Sequence, residues 1–135
     1  MTLVLALAIG FVSGLRTFTS LAAVFLARGG VWGYALSACA IGEYVVDAMP
    51  SAPSRTKPPS VVVRCLSGAV AGWFVASAHD GSVMLGAVAG IAGALIGTYA
   101  GHAARLAAIA RIGALPAALL EDAIAIVLAY VIVTH

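Results

Sequence analysis

Glu43 and Asp47 stand four residues apart, and Glu121 and Asp122 are neighbours, all within stretches that otherwise read as membrane spans. The spacing of four puts the first pair on one helix face. Like charges there repel unless a cation, a proton or an arginine intervenes. A carboxylate at the centre of a bilayer costs about 2.5–3.5 kcal/mol on insertion scales. The chain has five acidic residues in all, so four in apolar segments point to a purpose. Carboxylate oxygens are hard ligands suited to a metal ion. Burial and like-charge proximity also raise carboxylate pKa values, which suits proton carriage. The other reading is an ion-pair network in which Arg64 and Arg16 neutralise the acids and pin helices together. The residues leave both readings open, and they name no metal.

The elements that must position these groups follow from composition. Of 135 residues, 63% are hydrophobic and 9% charged, against about 25% charged in an average soluble domain. A soluble fold of this size has nowhere to hide so much apolar surface, so the expected solvent is lipid. The expectation is a single transmembrane domain over residues 1–135. It is an all-α polytopic bundle with apolar runs near 3–27, 33–49, 61–78, 83–101 and 114–133. These make about five transmembrane helices. The net charge of +2 is too small to suggest nucleic acid. No basic leader precedes the first run, so no cleavable signal is expected. Cys39 and Cys65 lie in apolar runs without a CxxC or Cys/His cluster, which supports neither a zinc site nor a disulfide framework.

Loop charges set the expected orientation. With five spans, the N-terminus, the proline-rich 50–60 loop and the 102–113 segment share one side, holding Arg55, Lys57, Arg105 and Arg111; the other side holds Arg28. The N-terminus and the 50–60 loop are therefore expected in the cytoplasm. Segment 102–113 is either an interfacial helix or an extension of the run before it. The first run has a second reading, because Gly10, Gly14 and Arg16 fall near its middle. It is either straight and tilted, or broken near Gly14-Leu15-Arg16 into two half-helices or a re-entrant hairpin. A re-entrant hairpin puts the N-terminus outside and leaves the other loops unchanged.

At the helical rise, Glu43 lies about 10 Å below Pro50 and Glu121 about 12 Å below Gly113. Arg64 enters from the same side. All four carboxylates and Arg64 are thus expected in one leaflet. The glycines at 86, 90, 93, 97 and 101 share a helix face and let another helix approach closely. That helix is the run at 61–78, with Gly68 and Gly72, or one from a second subunit. A homo-oligomer is expected on this ground. Arg55 and Lys57 also suit anionic lipid head groups. His79, His102 and His135 sit in loops or at the tail without a serine partner, so no enzyme and no cofactor are expected.

The order Gly14-Leu15-Arg16, Glu43-x-x-x-Asp47-x-x-Pro50, Arg64-x-x-x-Gly68-Ala69 and Glu121-Asp122-x-x-Ala125 resembles a domain-of-unknown-function family of small bacterial integral membrane proteins. The match spans nearly the whole chain. Members commonly carry Asp-Lys where this chain has Asp47-Ala48, so any role of that lysine is absent. The resemblance implies a bacterial inner membrane location and no assigned activity. A fainter likeness to manganese and calcium exporters, whose paired acidic motifs bind the cation, is one of chemistry alone; their Gly-Asp-Lys run is missing here. The leading expectation is a small transporter or channel, cation- or proton-coupled, for a small ion or molecule. Glu43, Asp47, Glu121 and Asp122 serve as ligands or proton carriers, with Arg16 and Arg64 as counter-charges. The alternative is a non-transporting protein that binds anionic lipid or a partner protein.

Overall fold

The computed structural model describes residues 1–48 and 57–135, with the side chains of 47 and 48 outside the description. Six helices follow one another: α1 (Thr2–Leu15), α2 (Thr17–Arg28), α3 (Val31–Ala48), α4 (Pro58–Ala78), α5 (Val83–Ile112) and α6 (Ala114–Thr134). There is no strand among the described residues. Leucine, isoleucine, valine and aromatic side chains are exposed on every helix, Val88, Leu119, Val127 and Tyr130 among them. A helix bundle that is apolar on its outside has lipid as its solvent. By length and apolarity α4, α5 and α6 can each cross a membrane, and α1, α2 and the Val31–Val46 part of α3 form shorter apolar helices. The protein is thus an all-helical membrane protein.

The first apolar run is two helices. Arg16 leaves helical geometry with an extended backbone (φ −143°, ψ 113°), ending α1 and starting α2. The contacts on either side show that the chain reverses there. Thr2 packs at Gly81, just past the end of α4, while Gly14 packs against Ala94, Gly97 and Thr98 of α5. From the reversal, α2 runs back beside α4. The carbonyl of Thr17 meets Ser67, and Phe25 and Arg28 meet Phe74. Met1 and Arg28 therefore lie at one end of the bundle, and Lys57 begins α4 at the other. A straight first helix would have put Met1 at the Lys57 end; the hairpin corrects that expectation. The region around residues 102–113 continues α5 as one 30-residue helix, which Gly113 ends with φ 89°.

Glycine seams hold the hairpin in place. Gly86 and Gly90 of α5 meet Gly72 and Gly68 of α4, while Gly93 and Gly97 meet Leu7, Phe11 and Gly14 of α1. Small residues let backbones approach closely where lipid supplies no hydrophobic drive. The seam that suggested a second subunit is therefore filled from within the chain. A Cβ on Gly90 would overlap the carbonyl oxygen of Gly68, whereas one on Gly42 meets nothing within 4 Å. Gly90→Ala should lower unfolding stability in mixed micelles by about 1–3 kcal/mol, the usual range for overpacking. Gly42→Ala should leave it unchanged, and equal effects would refute the seam.

Candidate functional site

A chain reversal inside a bundle exposes backbone groups that lipid cannot satisfy. The last carbonyls of α1 and the first N–H groups of α2 are such groups. Glu43, reaching across from α3, accepts from the backbone N–H of Thr17 at 2.9 Å and of Phe18 at 3.0 Å, one to each carboxylate oxygen. It caps α2 from outside, and its charge suits the positive end of that helix. Arg64 of α4 donates through Nη1 to the carbonyl of Gly14 at 2.6 Å, at the negative end of α1. Its Nη2 lies 3.9 Å from Glu43. Ser67 donates to the carbonyl of Thr17 at 2.7 Å. The hydroxyls of Ser13, Ser20 and Ser67 meet in one buried cluster where α1, α2 and α4 converge.

Arg16 itself points the other way, toward α6. Its guanidinium is 0% exposed. It pairs with Asp122, lies 3.9 Å from Glu121, and sits 5.3 Å from the ring centre of Tyr44. Tyr44 in turn shares a hydrogen bond with Thr19. Arg105 of α5 approaches Glu121 at 3.5 Å. A buried pair of this kind fixes geometry more than it adds stability, but removing one partner leaves a costly charge behind.

The structure thus brings Arg16, Arg64, Glu43, Glu121 and Asp122 into one layer at the hairpin turn. Asp47 lies on α3 one turn beyond Glu43, but its side chain, like Arg55, falls outside the described residues. Lys57 is exposed at the start of α4, apart from this layer. Arg105 belongs to the layer although its sequence context read only as interfacial. Its signal was present: 105 and 121 lie eight residues either side of Gly113, so a hairpin there sets them opposite each other. Tyr44 and the serine cluster carried no such mark. Among the described residues, three arginines now face three carboxylates. No group of three or more His, Cys, Asp or Glu side chains gathers to hold a metal ion among the described residues.

Cavities flank the layer. One of about 500 Å³ is lined by Thr17, Glu43 and Arg64 toward the Lys57 end. One of about 290 Å³ is lined by Leu15, Arg105 and Glu121 between α5 and α6. A third, about 690 Å³, lies between α2, α3 and α6 on the other side of Tyr44.

Removing Arg16 should strand Asp122 as a buried, uncompensated charge. Arg16→Met is expected to lose about 3–5 kcal/mol in a micellar unfolding titration. Adding Asp122→Asn should return part of that loss, with a coupling of about 0.5–3 kcal/mol. Strict additivity of the two substitutions would mean that the pair does not form.

Comparison of the chain with family models, with curated proteins and with solved structures returns no match.

Proposed function

We propose that this protein is a small proton-coupled transporter or channel, worked by the charged layer at the α1–α2 reversal. The observation that carries the reading is Arg16: a fully buried guanidinium at a break between helices, engaged by two carboxylates of another helix. Ionisable groups at membrane depth mark ion and proton pathways, and broken helices are where transporters build their sites. The cavity lined by Thr17, Glu43 and Arg64 supports it further, since it opens beside the layer toward the Lys57 end. A proton needs only one carboxylate, so it suits acids that each stand beside an arginine better than a metal ion does. Protonation of Glu121 or Asp122 weakens the hold on Arg16 and Arg105, and α6 is then free to shift against the hairpin.

The membrane arrangement belongs to the same proposal. The hairpin enters from the Arg28 end as a re-entrant element, and α3 to α6 cross, giving four crossings rather than five. The Lys57 end, with Arg105 and Arg111, faces the cytoplasm of a bacterial inner membrane, so both termini face outward. Kinship with the small bacterial membrane family rests on the sequence motifs alone. The glycine motif that suggested self-association is used inside the chain, so a homo-oligomer is not part of the proposal.

A second reading has its own observation. Glu43 is satisfied by two backbone N–H groups, as a purely structural cap would be. Proteoliposomes with an internal pH dye separate the two readings. Under an imposed pH gradient the unaltered protein should pass protons, and Asp122→Asn and Glu121→Gln should lose most of that flux while remaining folded. Absence of flux in the unaltered protein, together with micellar collapse of both variants, would favour the structural network. For orientation, a variant without Cys39 and Cys65 should react at Thr2→Cys with an impermeant thiol reagent added outside cells. The same variant with Ala110→Cys should not; the opposite pattern reverses the assignment.

A further inference from the structure

The 690 Å³ cavity between α2, α3 and α6 does not belong to the charged layer, yet its inner end is Tyr44, which stacks on Arg16. Its volume falls within the range of about 300–1,000 Å³ typical of small-molecule sites. Much of its wall is alanine: Ala22, Ala23 and Ala27 of α2, Ala40 of α3 and Ala129 of α6. Four of its hydroxyl groups are already hydrogen-bonded within the chain. Thr19 and Tyr44 bond each other, Ser37 donates to the carbonyl of Gly33 at 2.8 Å, and Thr134 donates to that of Tyr130 at 2.8 Å. A water needs two to four polar partners, and an apolar space without them stays dry or takes an apolar guest. The rim residues Ile41, Ile126 and Tyr130 are exposed, so in a membrane the groove opens sideways to hydrocarbon.

Its length and direction identify the guest. Along α2 the lining runs from Thr19 to Ala27, about 12 Å at the helical rise, parallel to the helices. Half of a hydrocarbon core is about 15 Å. The groove therefore reaches from the Arg28 end of the bundle to the depth of the charged layer, as an acyl chain does. Arg28 follows Ala27 and marks that end of the bundle, exposed with its guanidinium over the Phe74 ring of α4. We propose that this groove binds one acyl chain of a phospholipid from the leaflet at the Arg28 end, its tip resting on Tyr44. The occupant thereby touches the residue that covers Arg16, and the inference stands whether or not the layer moves protons.

Two measurements test this with phosphatidylglycerol as the probe. In native mass spectrometry after delipidation and lipid add-back, the unaltered protein should retain one phospholipid per chain, and Ala40→Phe with Ala129→Phe should retain none. Retention by the filled variant overturns the proposal. With the unaltered protein in vesicles, phosphatidylglycerol carrying a photoreactive group at its chain end should label Ala40 and Tyr44 above the lipid-facing Leu119 and Val88. Even labelling of all four positions overturns it, as does a dimer cross-linked through the groove. If the filled variant fails to fold, the photolabel on the unaltered chain decides.

Discussion

The constraint on which the structure depends is the backbone at residues 14 to 18. A chain that reverses within hydrocarbon must satisfy every freed N–H and carbonyl from inside the protein. Here a cation meets the carbonyl end of α1 and an anion meets the amide end of α2, so Arg64 and Glu43 each complement the local helix dipole as well as forming the hydrogen bond. Each is then near enough to offset the other's charge. The reversal therefore explains two charges on α3 and α4 that would otherwise be costly in these segments. Arg16, at the apex, turns its side chain to the acids of α6.

The glycine seams make that reversal possible at that depth. Because α1 lies directly on the backbones of α4 and α5, Gly14 and Arg16 arrive at the level where Arg64 and Glu121 stand. Side chains at positions 93 or 97 would push α1 outward and take its last turn beyond the reach of Arg64, and side chains at 68 or 90 would part α4 from α5. Packing and charge are coupled in this way: the small residues set the distance, and the polar groups set the register along it.

Much of this was legible in the sequence, and the limits have physical causes. The apolar runs gave the helices, the lengths placed Glu43, Glu121 and Arg64 at one depth, and the glycine spacing gave the face of α5 that is packed. The direction of α2 was not legible. Hydropathy is the same whether residues 17–28 continue α1 or fold back beside it, and only Gly14 and Arg16 hinted at a break. The end of the bundle at which Met1 lies turns on that choice, since a single reversal moves Met1 across the whole structure. Arg105 was read through its interfacial alanine-rich context, although its symmetry with Glu121 about Gly113 was available. The glycine face was legible as an interface but not its owner, because a helix face carries no label for an internal or external partner.

The described charges of the layer are held by two kinds of contact. Glu43 is held by two backbone N–H groups at the start of a helix, and displacing it would uncover both. Arg64 likewise holds a backbone carbonyl. Glu121 and Asp122 are engaged by the side chains of Arg16 and Arg105. The buried face of α6 is largely alanine, at 117, 118, 125 and 129, and such a face interlocks less deeply than branched side chains do. α6 is thus joined to the apex of the hairpin by side-chain ion pairs across a small-residue face.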